Sequence, residues 1–223
     1  MKHLKVIISA FLAGIIFSVG TFAQIELSAS KIAAAVLFGG GILVIFTLKL
    51  DFFDGKIGYT FFDSKNTDKR FLKSLEALLG NIIGCAACGL ALSTVCRSTA
   101  SVMADSFIES SPVAVLVKSL FCGALLFAAT HCYIRTNGSA AGCLISLIAA
   151  SAIPLCGFAH AASEVFYIFA ALKFDINVLL YLLMTVAGNA VGAIVFAELY
   201  EAKKSNKEER YRHSHHHHSE ETE

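Results

Sequence analysis

The residue in this chain best suited to take part in chemistry is a histidine inside an apolar stretch. His160 follows Pro154 and Gly157 within the long apolar run 140–172, and Glu164 stands four residues beyond it. An ionisable side chain in a hydrophobic segment is costly unless it is paired or faces a water-filled path. Because histidine changes its charge between about pH 5 and 8, it can exchange a proton with a weak acid. A purely structural histidine is the simpler alternative.

A second set of charged residues interrupts another apolar run. Segment 49–56 reads KLDFFDGK and is followed by a short apolar piece, 57–62. Hydropathy alone favours the simpler interpretation that this segment begins a loop. The other interpretation is a broken helix that matches the break at 154–160, since unwound backbone at membrane depth occurs where it lines a cavity or is buried in protein. Asp54 and Lys56 would then lie on that path.

Other residues offer weaker chemistry. Lys118 lies near one end of an apolar segment, where its charge could reach the interface or add positive potential to an access funnel, and His131 lies in the same segment. The seven cysteines fall in or beside apolar stretches and indicate no disulfide framework. Cys85 and Cys88 form a C-x-x-C, but no second pair or nearby histidine completes a metal set. Without a Ser/His/Asp set or a phosphate-binding loop, we expect no enzyme, no metal and no cofactor.

The composition predicts the elements that hold these residues. Hydrophobic residues make up 56% of the 223 and charged residues only 16%, which is typical of a membrane protein. Apolar runs at 5–23, 32–48, 75–96, 113–134, 140–172 and 177–200 predict six transmembrane segments. The first run could instead be a cleaved signal peptide.

The basic residues favour six spans over that alternative. If both termini lie inside, twelve of the 18 lysines and arginines fall on the cytoplasmic side, and three, Lys31, Arg97 and Lys173, fall outside. Short cytoplasmic loops are enriched in Lys and Arg. The pattern therefore predicts a multi-pass protein of the plasma membrane with cytoplasmic N- and C-termini.

An internal repeat relates the two halves of the chain. The GNxxG stretches that begin at Gly80 and Gly188 are 108 residues apart. Nearly the same offset relates a pattern of phenylalanines and a glycine in the first span, Phe11, Gly14 and Phe17, to one in the fourth, Phe121, Gly123 and Phe127. Three spans per repeat is an odd number, so the two copies must be inverted in the membrane. The motifs themselves we interpret as close helix packing, with the asparagine bonding across the contact.

The region from Leu4 to Tyr200 resembles the formate/nitrite transporter family of anion channels, whose members conduct formate, nitrite or hydrosulfide. Gly157-Phe158-x-His160 is similar to the family's G-F-E-H motif, both GNxxG stretches match, and segment 31–56 aligns without a gap to the second span and the following loop. The resemblance implies an all-α, aquaporin-like membrane fold of six transmembrane helices in two inverted three-helix repeats, with the second and fifth helices broken. It also implies a homopentamer with one pore per protomer.

The resemblance also assigns roles to residues. His160 takes the place of the family's central histidine, which would donate a proton. The implied constrictions are Phe38 and Ile42 facing Ile153 on one side, and Phe52 and Phe53, after the acidic Asp51, on the other. The chain departs from the family in carrying Asp54 in place of a threonine, Lys56 as an added charge, Ala159 before the histidine and Glu164 in place of an asparagine.

These observations predict a channel or transporter in residues 1–200 for small monovalent anions or their conjugate weak acids, of the formate, nitrite or hydrosulfide type. We expect the substrate path to include His160, Asp54, Lys56, Phe38, Ile42, Phe52, Phe53, Ile153, Glu164 and Lys118. A channel for a different small solute and a non-conducting membrane scaffold are the alternatives. A net charge of +1 with no basic face indicates no nucleic-acid partner.

The C-terminal segment 201–223 is polar and contains His213 and His215–His218. Its composition predicts a disordered cytoplasmic tail. The histidines could be a native tail without function, a remnant of an expression tag or a metal-binding stretch, and we favour the first.

Overall fold

The computed structural model of the protein describes residues 2–27, 29–62 and 66–220, with side chains described as far as residue 203. Within these residues all of the regular secondary structure is helical. The helices are α1 (Lys2–Glu26), α2 (Lys31–Thr47), α3 (Phe53–Ile57), α4 (Thr67–Ile108), α5 (Pro112–Arg135), α6 (Ala140–Leu155), α7 (Ala161–Ala171) and α8 (Ile176–Glu220).

Four of the described helices are long and apolar enough to cross a membrane alone, namely α1, α4, α5 and residues 176–203 of α8. By contrast, α2 has 17 residues and spans about 25 Å at a rise of about 1.5 Å per residue, less than a hydrocarbon core of ~30 Å. Helices α2 and α6 therefore complete their spans with the short helices α3 and α7. The predicted second and fifth broken helices are confirmed.

Helix α4 extends beyond the third predicted span, 75–96, at both ends. Helix α4 runs from Thr67 to Ile108, with non-helical dihedral angles only at Cys96. Hydropathy detected the apolar middle of α4 but not its polar ends. A helix continues where backbone hydrogen bonds and packing allow, whether or not its residues are apolar.

The two breaks have the same geometry. Helix α2 ends with Lys49 in the left-handed region (φ 55°), and α6 ends with Gly157 there (φ 64°). In both, the next amide reaches back five residues, from Leu50 to Ile45 and from Phe158 to Ile153, as in a Schellman motif. Since residues 52–55 after the first break are buried, the interpretation of 49–56 as the start of an exposed loop is wrong.

The helix contacts follow the predicted two-fold relation. Helix α1 packs on α4 as α5 packs on α8, and α1 contacts α2 as α5 contacts α6. The short helices lie between the repeats: α3 contacts α4 of its own repeat and α5 and α8 of the second, and α7 contacts α8 of its own repeat and α1 and α4 of the first. Each short helix therefore packs against both repeats, and the two breaks meet through His160 and Asp54.

Glycines allow the closest of these crossings. A Cβ added at Gly14 of α1 would lie 2.6 Å from the backbone oxygen of Asn81 in α4. The equivalent glycine of the second repeat, Gly123, faces the backbone of Asn189 in the same way. The packing role predicted for the small residues is therefore seen in both repeats.

Both ends of the transmembrane region lie at one end of the bundle. His3 contacts Glu76 near the start of α4, and Arg135 at the end of α5 donates to the hydroxyl of Tyr200 in α8, 3.0 Å away. The backbone of α8 is helical to Glu220. The side chains from 204 onwards, His213 and His215–His218 among them, lie outside the described residues, so the predicted disorder and role of 201–223 stay predictions.

Candidate functional site

An asparagine from α4 holds the first break open. The Nδ2 group of Asn81 donates to the carbonyls of Ala10 (2.8 Å) and Asp51 (3.1 Å). Its Oδ1 accepts from the backbone N–H of Phe53 at 2.9 Å, the first amide of α3. Backbone groups freed by a helix break must find partners away from water. Asn81 supplies hydrogen-bond partners to the backbone groups on both sides of Phe52, the carbonyl of Asp51 and the N–H of Phe53.

Asn189 of α8 does the same at the second break. It donates to the carbonyls of Ser119 (2.9 Å) and Ala159 (3.0 Å) and accepts from the N–H of Ala161 at 2.9 Å. His160 thus occupies the position in its break that Phe52 occupies in the other. The GNxxG motifs therefore do more than pack helices, a role that the sequence analysis missed. The clue was an asparagine beside the glycine in both copies.

His160 and Asp54 form a buried pair across the two repeats. The Nε2 atom of His160 lies 3.2 Å from Oδ2 of Asp54, and the side chains are 1% and 3% exposed. On the other side of the ring, Nδ1 lies 3.4 Å from the hydroxyl of Ser163. Of the two Asp54 oxygens, Oδ1 has no hydrogen-bond partner within the part of the chain that the structure describes.

Three phenylalanines surround the histidine ring. The ring centroids of Phe17, Phe52 and Phe38 lie 4.7, 5.8 and 6.4 Å from that of His160. Phe17 was not among the predicted site residues, although its place in the repeat of the first and fourth spans could have suggested it. The imidazole therefore lies among apolar rings that donate no conventional hydrogen bond.

The predicted constriction residues divide into two groups. Phe38, Ile42, Phe52 and Ile153 are buried in one apolar cluster with Phe17. Phe53, the fifth, packs instead with Ile57 and Phe127 in a different cluster. The structure therefore does not bring Phe53 to the others, because consecutive residues at the start of α3 point in different directions.

A cavity of about 550 Å³ opens next to Phe52. It lies between the first break and the end of α5, and its charged lining residues are Lys49, Asp51 and Lys56. Lys56 forms an ion pair with Asp51. Among the described residues, no ion-pair partner is found for Lys49, whose side chain is exposed. The cavity is a vestibule with more positive than negative groups.

Glu164 follows His160 in the first turn of α7 and is buried, with 7% of its surface exposed. Its Oε2 atom has no hydrogen-bond partner among the described residues. Lys118 of α5 acts on it electrostatically, and the thiol of Cys122, one turn further along α5, interacts with both Glu164 and Asp54. The structure therefore brings together Asp54, His160 and Glu164, with Lys118 on the same side as Glu164.

His131 belongs to a different environment. Its Nδ1 atom is hydrogen bonded to the hydroxyl of Tyr59 at 2.8 Å, and its ring stacks on Phe127 and contacts Tyr200. These contacts tie the segment after α3 to α5 and α8. The structure thus places His131 at the end of the bundle rather than beside His160.

Comparison with known proteins supplies the family relationship. The family model described as formate/nitrite transporter matches residues 1–202. A solved pentameric formate channel with formate bound superposes with a TM-score of 0.78 at 13% identity, over 92% of this chain and 98% of that chain. A solved FNT family ion channel superposes with a TM-score of 0.80 at 19% identity, over 90% of each chain. At these identities the superpositions show a shared fold. No curated protein matches the chain.

Proposed function

Because this chain belongs to the formate/nitrite transporter family, a family of channels and not of enzymes, we propose that it conducts small monovalent anions or their conjugate weak acids. Formate, nitrite and hydrosulfide are the substrates of this type. The proposal is supported by the polar pair buried among apolar residues at the meeting point of two broken helices. The formate bound to the superposed pentameric channel belongs to that protein, and formate is a substrate here by proposal.

In the proposed mechanism the vestibule collects the anion. Lys49 and Lys56 give this cavity a positive potential, which Asp51 reduces in part. Such a potential raises the local anion concentration and the rate of encounter. The aromatic side chain of Phe52 then separates the vestibule from the buried pair, so that a solute leaves water behind when it passes.

His160 then acts as the proton donor. A charged ion crosses an apolar constriction at high cost, whereas its neutral acid does not. The protonated imidazole of His160 would give its proton to the anion, the N–H bond breaking as the acid O–H or S–H forms. The ring is then neutral and regains a proton from water. The single observation that carries this role is its burial among Phe17, Phe38 and Phe52 with a carboxylate as partner.

We further infer the setting in which the channel works. The contacts of His3 with Glu76 and of Arg135 with Tyr200 support termini on one side of the bilayer, and the basic residues favour the cytoplasmic side of the plasma membrane. A homopentamer with one path per protomer is supported by the pentameric structure of similar fold. Exposed apolar residues cover the outer faces of α1, α4 and α8, as lipid or subunit contacts require.

Solute uptake by proteoliposomes tests the proposal. The purified full chain is reconstituted and mixed rapidly with formate, nitrite, hydrosulfide, acetate or urea, and swelling is followed by light scattering. We expect the first three solutes to enter faster than into empty liposomes. Rates equal to those of empty liposomes for every solute would support a non-conducting scaffold. Selective entry of urea would indicate a channel for a different small solute.

A further inference from the structure

Two carboxylate oxygens along the path lack partners. Asp54 Oδ1 and Glu164 Oε2 are buried and make no hydrogen bond to any described residue. The residues are 2% and 7% exposed. A buried acceptor without a donor is unfavourable, so such an atom in a native structure calls for an explanation. Asp54 and Glu164 are both among the residues predicted to line the solute path.

An ionised carboxylate only accepts hydrogen bonds. Oδ2 of Asp54 is already next to His160 Nε2, and the rings of Phe17, Phe38 and Phe52 around that imidazole carry no conventional donor. The missing partner of Oδ1 is therefore a donor that arrives along the path. Water or a solute with an O–H or S–H group can supply it, and a bare anion cannot.

The net charge of the His160–Asp54 pair also disfavours a bare anion. With His160 neutral, the pair carries the single negative charge of Asp54. With His160 protonated, the two charges cancel, so the pair is not positive as long as Asp54 is ionised. Glu164 follows His160 in the first turn of α7, and Lys118 lies within electrostatic range of Glu164. Among the described residues, the hydroxyl of Ser163 also lies beside the imidazole, and the thiol of Cys122 lies within electrostatic range of Asp54.

Resting on the proposed function, we propose that Asp54 is a specificity-determining residue that admits only the protic, undissociated form of a weak acid and excludes aprotic anions. The proton that His160 gives to an arriving anion converts it to the acid. The new O–H or S–H then donates to Asp54 Oδ1, and the unprotonated pair, with its negative charge, repels any anion that has not been converted. Nitrate and chloride, the anions of strong acids, are therefore excluded.

Simultaneous measurement of current and lumen pH tests this selection. The full chain is reconstituted in planar bilayers for current and in liposomes containing a pH-sensitive dye for proton delivery. With a formate gradient, the wild type is expected to acidify the lumen and carry no current above that of empty membranes, and nitrate and chloride are expected to carry none either. Formate or nitrate current through the wild type would overturn the proposal and leave the channel function standing.

The variant D54N removes the charge and supplies an N–H donor of the same size. We expect it to gain formate and nitrate current at least tenfold above the wild-type background. The control D105N makes the same change in the ion pair with Lys173 at the end of the bundle and is expected to keep anions excluded. Continued exclusion of anions by a folded D54N would overturn the proposal, as would ammonium current through the wild type that D54N abolishes.

Two further results keep this test separate from that of the channel function. If D54N does not fold as judged by gel filtration, the wild-type current alone decides, because it requires no variant. If the wild type neither acidifies the lumen nor carries current with any weak acid, the proposed function itself fails.

Discussion

The imidazole of His160 and the carboxylate of Asp54 meet at 3.2 Å although 106 residues separate them in the chain. Asp54 lies in the first turn of α3 and His160 immediately precedes α7. The pair therefore joins the two broken spans, one from each repeat, at the centre of the protein. Its members can contact each other only if both breaks are held in place.

Breaking this pair from one side should destabilise the protein more than removing both partners. H160A leaves the Asp54 carboxylate buried without its partner, at a cost of about 3–5 kcal/mol. The double variant H160A/D54A removes that carboxylate as well, so we expect it to recover part of the loss. Thermal unfolding in detergent of the wild type, both single variants and the double variant measures the coupling. Additive losses would show that the two side chains do not interact.

The two asparagines should be equally important, because they make equivalent bonds in the two repeats. N81A and N189A each leave a buried N–H, that of Phe53 or Ala161, without its acceptor, at a cost of about 1–3 kcal/mol for that group alone. We expect each variant to lower both the melting temperature and solute flux. The control N177A changes an exposed side chain and should do neither. A normal melting temperature for N81A would contradict the role assigned to that asparagine.

Adding a methyl group at Gly14 should destabilise the protein, because α1 and α4 cross closely at this residue. The Cβ of G14A would lie 2.6 Å from the carbonyl oxygen of Asn81, and relieving this overlap costs about 1–3 kcal/mol. In the described part of the chain, a Cβ at Gly40 meets no heavy atom within 4 Å. G40A should therefore be neutral or slightly stabilising. Equal melting temperatures for the two variants would argue against this packing.

Lys49 should speed uptake by electrostatic attraction alone. We expect K49Q to slow formate uptake several-fold at low ionic strength, because a charge in the vestibule raises the local anion concentration. The difference should shrink as salt shortens the Debye length to ~8 Å at physiological ionic strength and further above it. The control K203Q removes an exposed charge that does not line the cavity. A salt-independent effect of K49Q would indicate a structural role instead.

The architecture could be predicted from the sequence because it depends on segment properties. Hydropathy located the six spans, and the 108-residue offset between Asn81 and Asn189 revealed the repeat. The first break was harder, since the charges of Lys49 to Lys56 are also typical of a loop. Hydropathy reports the free energy of transferring a whole segment from water into the membrane. It therefore cannot show that a single charged residue such as Asp54 is buried inside the protein.

The site was predicted less completely, because the contacts within it depend on the direction in which each side chain points. The exchange of a threonine for Asp54 was visible in the sequence, but its contact with His160 was not. Phe52 and Phe53 are adjacent, yet only Phe52 packs beside His160. Phe17 was missed because its place in the repeat singles it out without showing that it packs against His160. Such details follow from how four long helices and two broken helices cross.

The most direct test of the account is the pH dependence of formate flux through the wild type and H160Q. Glutamine can still donate a hydrogen bond to Asp54, but it does not titrate between about pH 5 and 8. After subtraction of the leak of empty liposomes, we expect the wild-type flux to rise as pH falls through this range and H160Q to lose most of the flux and its pH dependence. A folded H160Q with the flux and pH profile of the wild type would contradict the proton-donating role of His160.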